Sequence, residues 1–177
     1  MKSKIISISA ISAGFVAICL LVGAYFEVAD LFTVVISSVF VTLPLYFNSY
    51  KGSVLTFLVG GIIAFICSGF NIISLVFPAY FAFFGIYPIV RIFLTEKKVN
   101  KYAGFIFGLI WFVAVAYGLY FYYLLVMGAT FEGLPEWIMN YLPYLVAVIA
   151  IVFYFIYDKF VLVARKATHF YLNKIIK

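Results

Sequence analysis

Charged residues are scarce in this sequence, and that scarcity bounds the class of protein. They make up 10% of the 177 residues, whereas hydrophobic residues make up 68%, and the mean hydropathy is +1.22. A soluble globular domain contains about 25% charged and about 45–50% apolar residues, so this composition excludes a soluble enzyme or a soluble binding module. We expect an all-α, polytopic membrane protein that forms a single transmembrane domain.

Residues that could serve in catalysis, metal binding or disulfide formation are also few. The sequence has one histidine, His169, and contains neither an HExxH zinc motif nor a GxSxG nucleophile motif. Cys19 and Cys67 lie inside apolar runs and fit neither a metal-binding nor a disulfide pattern. Glu132 and Glu136 are four residues apart but are explained as ordinary loop residues. We therefore expect no catalytic residue, no metal site, no cofactor and no enzymatic activity.

Long apolar runs are what the sequence has in abundance. Each run approaches or exceeds the roughly 20 residues that a transmembrane helix requires, and each is too long and too uniformly apolar for a β-barrel strand. The first run is also too long for the apolar core of a signal peptide, so we expect it to be retained. The six predicted spans are residues 5–26, 31–47, 53–70, 72–94, 102–127 and 137–157.

The distribution of charge predicts the orientation of these spans. If the N-terminus is cytoplasmic, all twelve lysines and arginines fall on the cytoplasmic side, and the charged residues of the outer loops are all acidic. The positive-inside rule therefore predicts a cell (inner) membrane protein with six helices and both termini cytoplasmic. Residues 158–177 are predicted to form a basic amphipathic tail on the lipid surface. The net charge of +6 is explained by this topology and by anionic lipid, without a nucleic-acid partner.

Ionisable residues inside the predicted spans are rare. This argues against a proton-coupled carrier and a voltage sensor, and a pore or flippase would lack a polar path. Arg91 lies near the inner end of the fourth span, and we expect its side chain to snorkel to the interface. Pro78, Gly85 and Pro88 in the same span predict an interrupted helix, a feature that often lines transporter sites but also serves packing.

Aromatic residues are numerous, with 22 Phe, 15 Tyr and 2 Trp. Tyrosine, tryptophan and amide residues concentrate at the outer ends of the later spans, where they would suit a flat, mostly neutral small molecule. An interfacial aromatic belt would have the same composition. Glu27 or Asp30 could favour a cationic substrate, and an exposed outer loop explains them equally well. The candidate substrate-binding residues are Asn71, Tyr117, Tyr120, Trp137, Asn140 and Tyr144.

Small residues form two rows along the first span. One row has a 4-3-4-3 spacing and comprises Ser3, Ser7, Ala10, Gly14 and Ala17; the second comprises Ser9, Ala13 and Ala17. Small side chains let another helix backbone approach closely in lipid. The partner can be another span of this chain or a separate subunit. The candidate docking residues are Ala10, Ala13, Gly14 and Ala17.

The chain resembles the substrate-binding S components of energy-coupling factor (ECF) vitamin transporters, which are small six-helix proteins with both termini inside. Its start, MKSKIISISAISAGFVA, is similar to their first helix, and Ala13 and Ala17 fit the AxxxA motif of that helix. The resemblance implies docking on a transmembrane coupling subunit with two cytoplasmic ATPases. It also implies a substrate site at the outer side, among helices four to six and the outer loops.

The sequence therefore predicts a substrate-binding and translocation subunit of a multi-subunit transporter. Its substrate would be a small, vitamin-like organic nutrient, and partner ATPases would supply the energy. The alternative is a non-transporting scaffold, assembly or regulatory subunit, which the same small-residue rows would serve. Ligand-dependent stabilisation would separate the two, because a scaffold gains none.

Overall fold

The computed structural model describes residues 2–97, 99–127 and 136–176, apart from the side chains at positions 2, 27, 101, 127, 136–140, 169 and 171–176. These ranges are almost entirely helical and contain no strand. Six of the helical segments are long and apolar enough to cross a membrane. The predicted all-α class and the number of spans are thereby confirmed.

The helices follow one another along the chain with short connections. Two short 3₁₀ segments flank α2, Glu27–Ala29 before it and Leu43–Phe47 after it, and a π-helical turn, Tyr80–Phe84, separates α4 from α5. The α-helices are α1 (Lys2–Tyr25), α2 (Asp30–Thr42), α3 (Tyr50–Cys67), α4 (Val76–Ala79), α5 (Tyr87–Glu96), α6 (Lys101–Met127) and α7 (Glu136–Ile176).

The turn between α2 and α3 shows how local sequence sets these boundaries. Asn48 ends the 3₁₀ segment with φ 55°, a left-handed conformation that asparagine tolerates better than most residues. Ser49 is the N-cap of α3, and its side-chain oxygen accepts a hydrogen bond from the backbone N–H of Gly52 at 3.1 Å. The cap satisfies one of the free N–H groups at the start of α3.

The fourth span (α4, the π-helical turn and α5) is interrupted, as its prolines and glycine predict. The π-helical turn follows Pro78, and Pro88 lies in the first turn of α5, where its missing N–H breaks no helical bond. Within the π-helical turn Tyr80 and Phe83 have no exposed surface, and Tyr87 at the start of α5 is 1% exposed. This span supplies the centre of the core.

Two groups of helices flank the fourth span. α1 packs against α2 and α3, and α6 packs against α7. The α1–α3 contact is close: a Cβ added at Gly60 on α3 would lie 2.7 Å from Val16 Cγ1 and 3.0 Å from the Ala13 carbonyl oxygen. The absence of a side chain at Gly60 is therefore what allows these two backbones to approach.

The last helix is longer than the predicted sixth span. α7 continues to Ile176 without a break, so the predicted tail at residues 158–177 begins inside it. Asp158 and Val161, which lie in that segment, are 4% and 3% exposed and belong to the packed interior. Asp158 is tolerated in the interior because it has a charged partner inside the bundle, as described below.

Replacing Gly60 with Ala should destabilise the protein by about 1–3 kcal/mol, since the new methyl group would overpack the α1–α3 contact. Gly14→Ala is the matched control, because nothing lies within 4 Å of a Cβ at Gly14. That change should be neutral or stabilising by up to about 1 kcal/mol, through helix propensity. Thermal unfolding in detergent measures both, and equal effects would contradict the close contact.

Candidate functional site

A cavity of about 470 Å³ lies in one half of the bundle. Its walls come from the start of α2, from α4 and the residues around it, from the second half of α6 and from the first half of α7. The end of the bundle at which α1 and α3 begin and α5 ends carries Lys51 and Lys97, and we call it the basic end. The cavity lies towards the opposite end.

The lining of the cavity is almost wholly apolar. Phe84, Phe112 and Phe153 form its floor on the side of the basic end, and smaller aliphatic residues line the rest. Leu31 and Ile149 are 57% and 66% exposed and mark its open side. Among the described residues that line it, Asp30 has the only charged side chain. The arrangement suits an apolar molecule with one polar group.

The predicted substrate-binding residues do not line this cavity where the structure describes them. Tyr117 donates a hydrogen bond to the Pro143 carbonyl at 3.0 Å and so joins α6 to α7. Tyr144 is 69% exposed, and the ring of Tyr120 packs edge-on against Phe121. The side chains of Trp137 and Asn140 lie outside the described part of the chain.

Asn71, the remaining candidate, shapes the connection between α3 and α4. Its side-chain oxygen accepts a hydrogen bond from the Ser74 N–H at 3.2 Å, and its own N–H bonds to Ser68 Oγ at 3.4 Å. Ser74 Oγ in turn accepts from the Val76 N–H at 3.3 Å. These local bonds replace helical ones, which is why α4 begins at Val76 and not at residue 72 as predicted.

The predicted docking residues divide between the interior and the surface. Ala13 and Ala17 are 4% and 5% exposed and face helices of this chain. The side chain of Ala17 is thus used within the bundle, and Ala13 is accessible only as part of a groove of about 500 Å³ between α1 and α3. Ala10 and Gly14 are exposed. Helical spacing alone does not separate an internal face from an external one.

A buried ion pair, which the sequence analysis did not predict, joins the fourth span to α7. Arg91 Nε and Nη2 donate to the two carboxylate oxygens of Asp158 at 2.6 and 3.0 Å. The two residues are only 7% and 4% exposed, so the expectation that Arg91 snorkels to the interface is wrong. Its guanidinium remains inside because a carboxylate meets it there in bidentate geometry.

Two tyrosines complete this polar cluster. Tyr87 donates to Asp158 Oδ1 at 2.5 Å, and its hydroxyl lies 2.8 Å from that of Tyr154, which is 2.9 Å from the Phe105 carbonyl oxygen. Tyr87 and Arg91 are four residues apart on α5, and Tyr154 and Asp158 are four apart on α7. This spacing places a tyrosine and a charged residue on the same face of each helix, which is the signal that the sequence offers for a polar face there.

The polar cluster lies directly beneath the cavity floor. The ring of Phe83 stacks on Tyr87 at 4.5 Å and contacts Phe112 at 4.7 Å, and Phe112 is itself a floor residue. Tyr157 packs against Phe84 with ring centroids 5.0 Å apart. The floor is therefore held in place by the layer that contains the ion pair.

A second ion pair lies at the surface of the basic end. Glu96 accepts hydrogen bonds from Arg165 on α7 and from Tyr50 on α3. The side chains of Arg165 and Glu96 are 25% and 33% exposed, so solvent and salt weaken their attraction. The two ion pairs join α5 to α7, and the Tyr50 hydrogen bond joins α3 to α5 at this end.

No protein-family model, curated protein or solved structure matches this chain.

Asp158→Asn should destabilise the protein by about 3–5 kcal/mol, because it leaves the Arg91 charge buried without a counter-charge. The double change Arg91→Met with Asp158→Leu should lose less than either charge-removing single change, since it leaves no orphan charge. The matched control is Glu96→Gln at the exposed pair, which should lose under about 1 kcal/mol. Denaturant unfolding in detergent measures these values, and equal losses for Asp158→Asn and Glu96→Gln would contradict the role of the buried pair.

Proposed function

We propose that this protein is the substrate-binding and translocation subunit of a membrane transporter for a small organic nutrient. The observation that carries the proposal is the cavity of about 470 Å³ between α2, α4, α6 and α7. Its volume falls within the roughly 300–1,000 Å³ of small-molecule sites, and its apolar walls with one polar group have the usual character of such sites.

The energy for transport would come from partner subunits. The sequence has no GxxxxGK[ST] nucleotide-binding motif. Cytoplasmic ATPases coupled through a second membrane subunit would supply the missing function. This is the arrangement that the resemblance to ECF S components implies, with the basic end facing the cytoplasm.

The exposed part of the small-residue row on α1 offers a contact for such a partner. Ser3, Ser7, Ala10 and Gly14 are all exposed and follow one face of the helix. A neighbouring transmembrane helix can approach this face closely because no large side chain projects from it. Within the proposal, docking therefore uses Ala10 and Gly14, since the side chains of Ala13 and Ala17 are buried against helices of this chain.

The same face would serve a scaffold or assembly subunit, which is the second candidate function. The placement of Tyr117 and Asn71 favours it, because both hold the chain's own backbone and leave the cavity with few polar groups. A scaffold would need no ligand, so its cavity would be filled by lipid. Binding of a water-borne small molecule is the property that separates the two functions.

Filling the cavity should abolish ligand binding. Ala116 on α6 lines the cavity, whereas Ala114 on the same helix is exposed and does not. Ala116→Phe should therefore remove the ligand-dependent stabilisation, about 2.7 kcal/mol at a hundredfold excess over Kd, while Ala114→Phe should retain it. The measurement is thermal unfolding against a panel of vitamins and metabolites. A wild type that no compound in the panel stabilises would favour the scaffold.

Blocking the exposed row of small residues on α1 should prevent the partner subunit from binding. Gly14→Trp places a bulky ring on the α1 face, and nothing in the chain lies within 4 Å of that position, so the fold should be unaffected. Ile110→Trp on α6, at a side chain that is 65% exposed, is the control. We expect purification from the native membrane, followed by mass spectrometry, to recover membrane and ATPase subunits with the control only. Full recovery with Gly14→Trp would exclude docking at this face.

A further inference from the structure

We propose that the groove between α1 and α3 binds one anionic phospholipid, with an acyl chain in the groove and the phosphate at Lys51. The groove has a volume of about 500 Å³ and lies at the basic end of the bundle. It shares no lining residue with the cavity between α2, α4, α6 and α7, so this site does not depend on the proposed transport function.

The groove has exposed sides and a buried floor. Leu55 and Val59 follow Lys51 at four-residue intervals on α3 and form one side, and Ile6 lies on the α1 side. All four of these side chains are exposed. The floor consists of smaller residues at the contact between the two helices: Ser9, Ala13, Gly52 and Thr56. The groove therefore runs along the helices and is open to the surroundings of the bundle.

The length of the groove matches one leaflet of a bilayer. Its α3 side runs from Lys51 to Val59, which is about 12 Å along the helix axis. Half of the hydrocarbon core of a bilayer is about 15 Å thick. The third span begins at Tyr50, so Lys51 lies at the level of the lipid head groups when this span crosses a membrane. The remainder of the groove then lies at the depth of the acyl chains.

The lining suits a hydrocarbon chain. Apart from Lys51, the sides of the groove are aliphatic. The hydroxyl of Thr56 in the floor donates to the carbonyl oxygens of Gly52 and Ser9, at 2.9 and 3.2 Å, so this polar group is satisfied within the protein. A chain that lies on such a floor gains dispersion contacts with both helices, because the small residues let it approach closely.

The width of the groove favours a chain over a helix. A volume of 500 Å³ along about 12 Å corresponds to a cross-section of about 40 Å². An α-helix with its side chains is about 10 Å across, and its cross-section is therefore about 80 Å². A partner helix that docks on Ala10 can lie over this space but cannot enter it. An extended acyl chain is thin enough to do so.

Lys51 specifies the charge of the head group. Its side chain is exposed and forms no ion pair with a side chain that the structure describes. Glu96, which also lies at the basic end, is paired with Arg165. Asp158 is paired with Arg91 inside the bundle. A lipid phosphate at the membrane surface can supply the counter-charge that the chain does not, and a lysine at that level attracts anionic lipid.

Two lipids with the same acyl chains test this assignment. Phosphatidylglycerol is anionic and phosphatidylcholine is zwitterionic, so they differ only in the head group. The full chain, purified and delipidated in detergent, is mixed with equal amounts of both, and native mass spectrometry measures the complexes that carry one lipid. We expect about fivefold more of the phosphatidylglycerol complex, which is the effect of one lysine near the surface.

Two lysine variants locate the head group. Lys51→Gln should bring the ratio of the two complexes close to one, because it removes the charge at the end of the groove. Lys97→Gln is the matched control, since Lys97 is an exposed lysine at the same end that does not line the groove. It should keep the wild-type ratio. A preference that survives in Lys51→Gln, or that falls equally in both variants, overturns the assignment of Lys51.

Two alanine variants locate the acyl chain. Ala10→Phe places a ring in the groove and should remove most of the complex with either lipid. Ala114→Phe, on an exposed face of α6 outside the groove, should bind both lipids as wild type does. Thermal unfolding without added lipid shows that each variant is folded. Undiminished binding in Ala10→Phe overturns the groove as the lipid site and leaves it to a partner protein. Equal binding of the two lipids to wild type overturns the anionic class.

Discussion

The pairing of Arg91 with Asp158 is the interaction on which the architecture depends. An isolated charge inside a transmembrane bundle costs several kcal/mol, so neither residue is tolerable without the other. Their bidentate contact, at 2.6 and 3.0 Å, fixes α5 against α7 in both distance and rotation. Because α7 lines the cavity and α5 lies next to it, the shape of the cavity depends on a contact outside it.

Aromatic side chains connect the ion pair to the cavity through direct contacts. Tyr87 bonds to Asp158 and stacks on Phe83, and Phe83 packs on the floor residue Phe112. A close-packed layer of rings has few intermediate arrangements, since aromatic contacts are sensitive to small displacements. In this structure the layer separates the cavity from the basic end. Passage of a ligand towards that end requires this layer to be displaced.

The sequence predicted the parts of this structure that composition and local residue types determine. The six spans and the interruption near Pro88 follow from apolar length and from the missing proline N–H. The cavity does not follow from local sequence, because it arises where four elements diverge and is lined by ordinary aliphatic residues such as Ala116. Tyr117 fits a binding site by residue type, yet its hydroxyl holds the Pro143 carbonyl of the neighbouring helix. The faces of α1 were likewise ambiguous, since small residues on both sides share one helical spacing.

The cavity and the exposed face of α1 differ in what they require of an occupant, and this difference bears on function. A small-residue face in lipid gains dispersion energy from any helix that approaches it, so Ala10 and Gly14 alone fit a transporter subunit and a scaffold equally well. The open cavity can be filled by a lipid chain, which would satisfy its apolar walls. Occupancy of the cavity therefore separates the two proposed functions, because a scaffold leaves the cavity to lipid and a binding subunit fills it with a molecule taken from water.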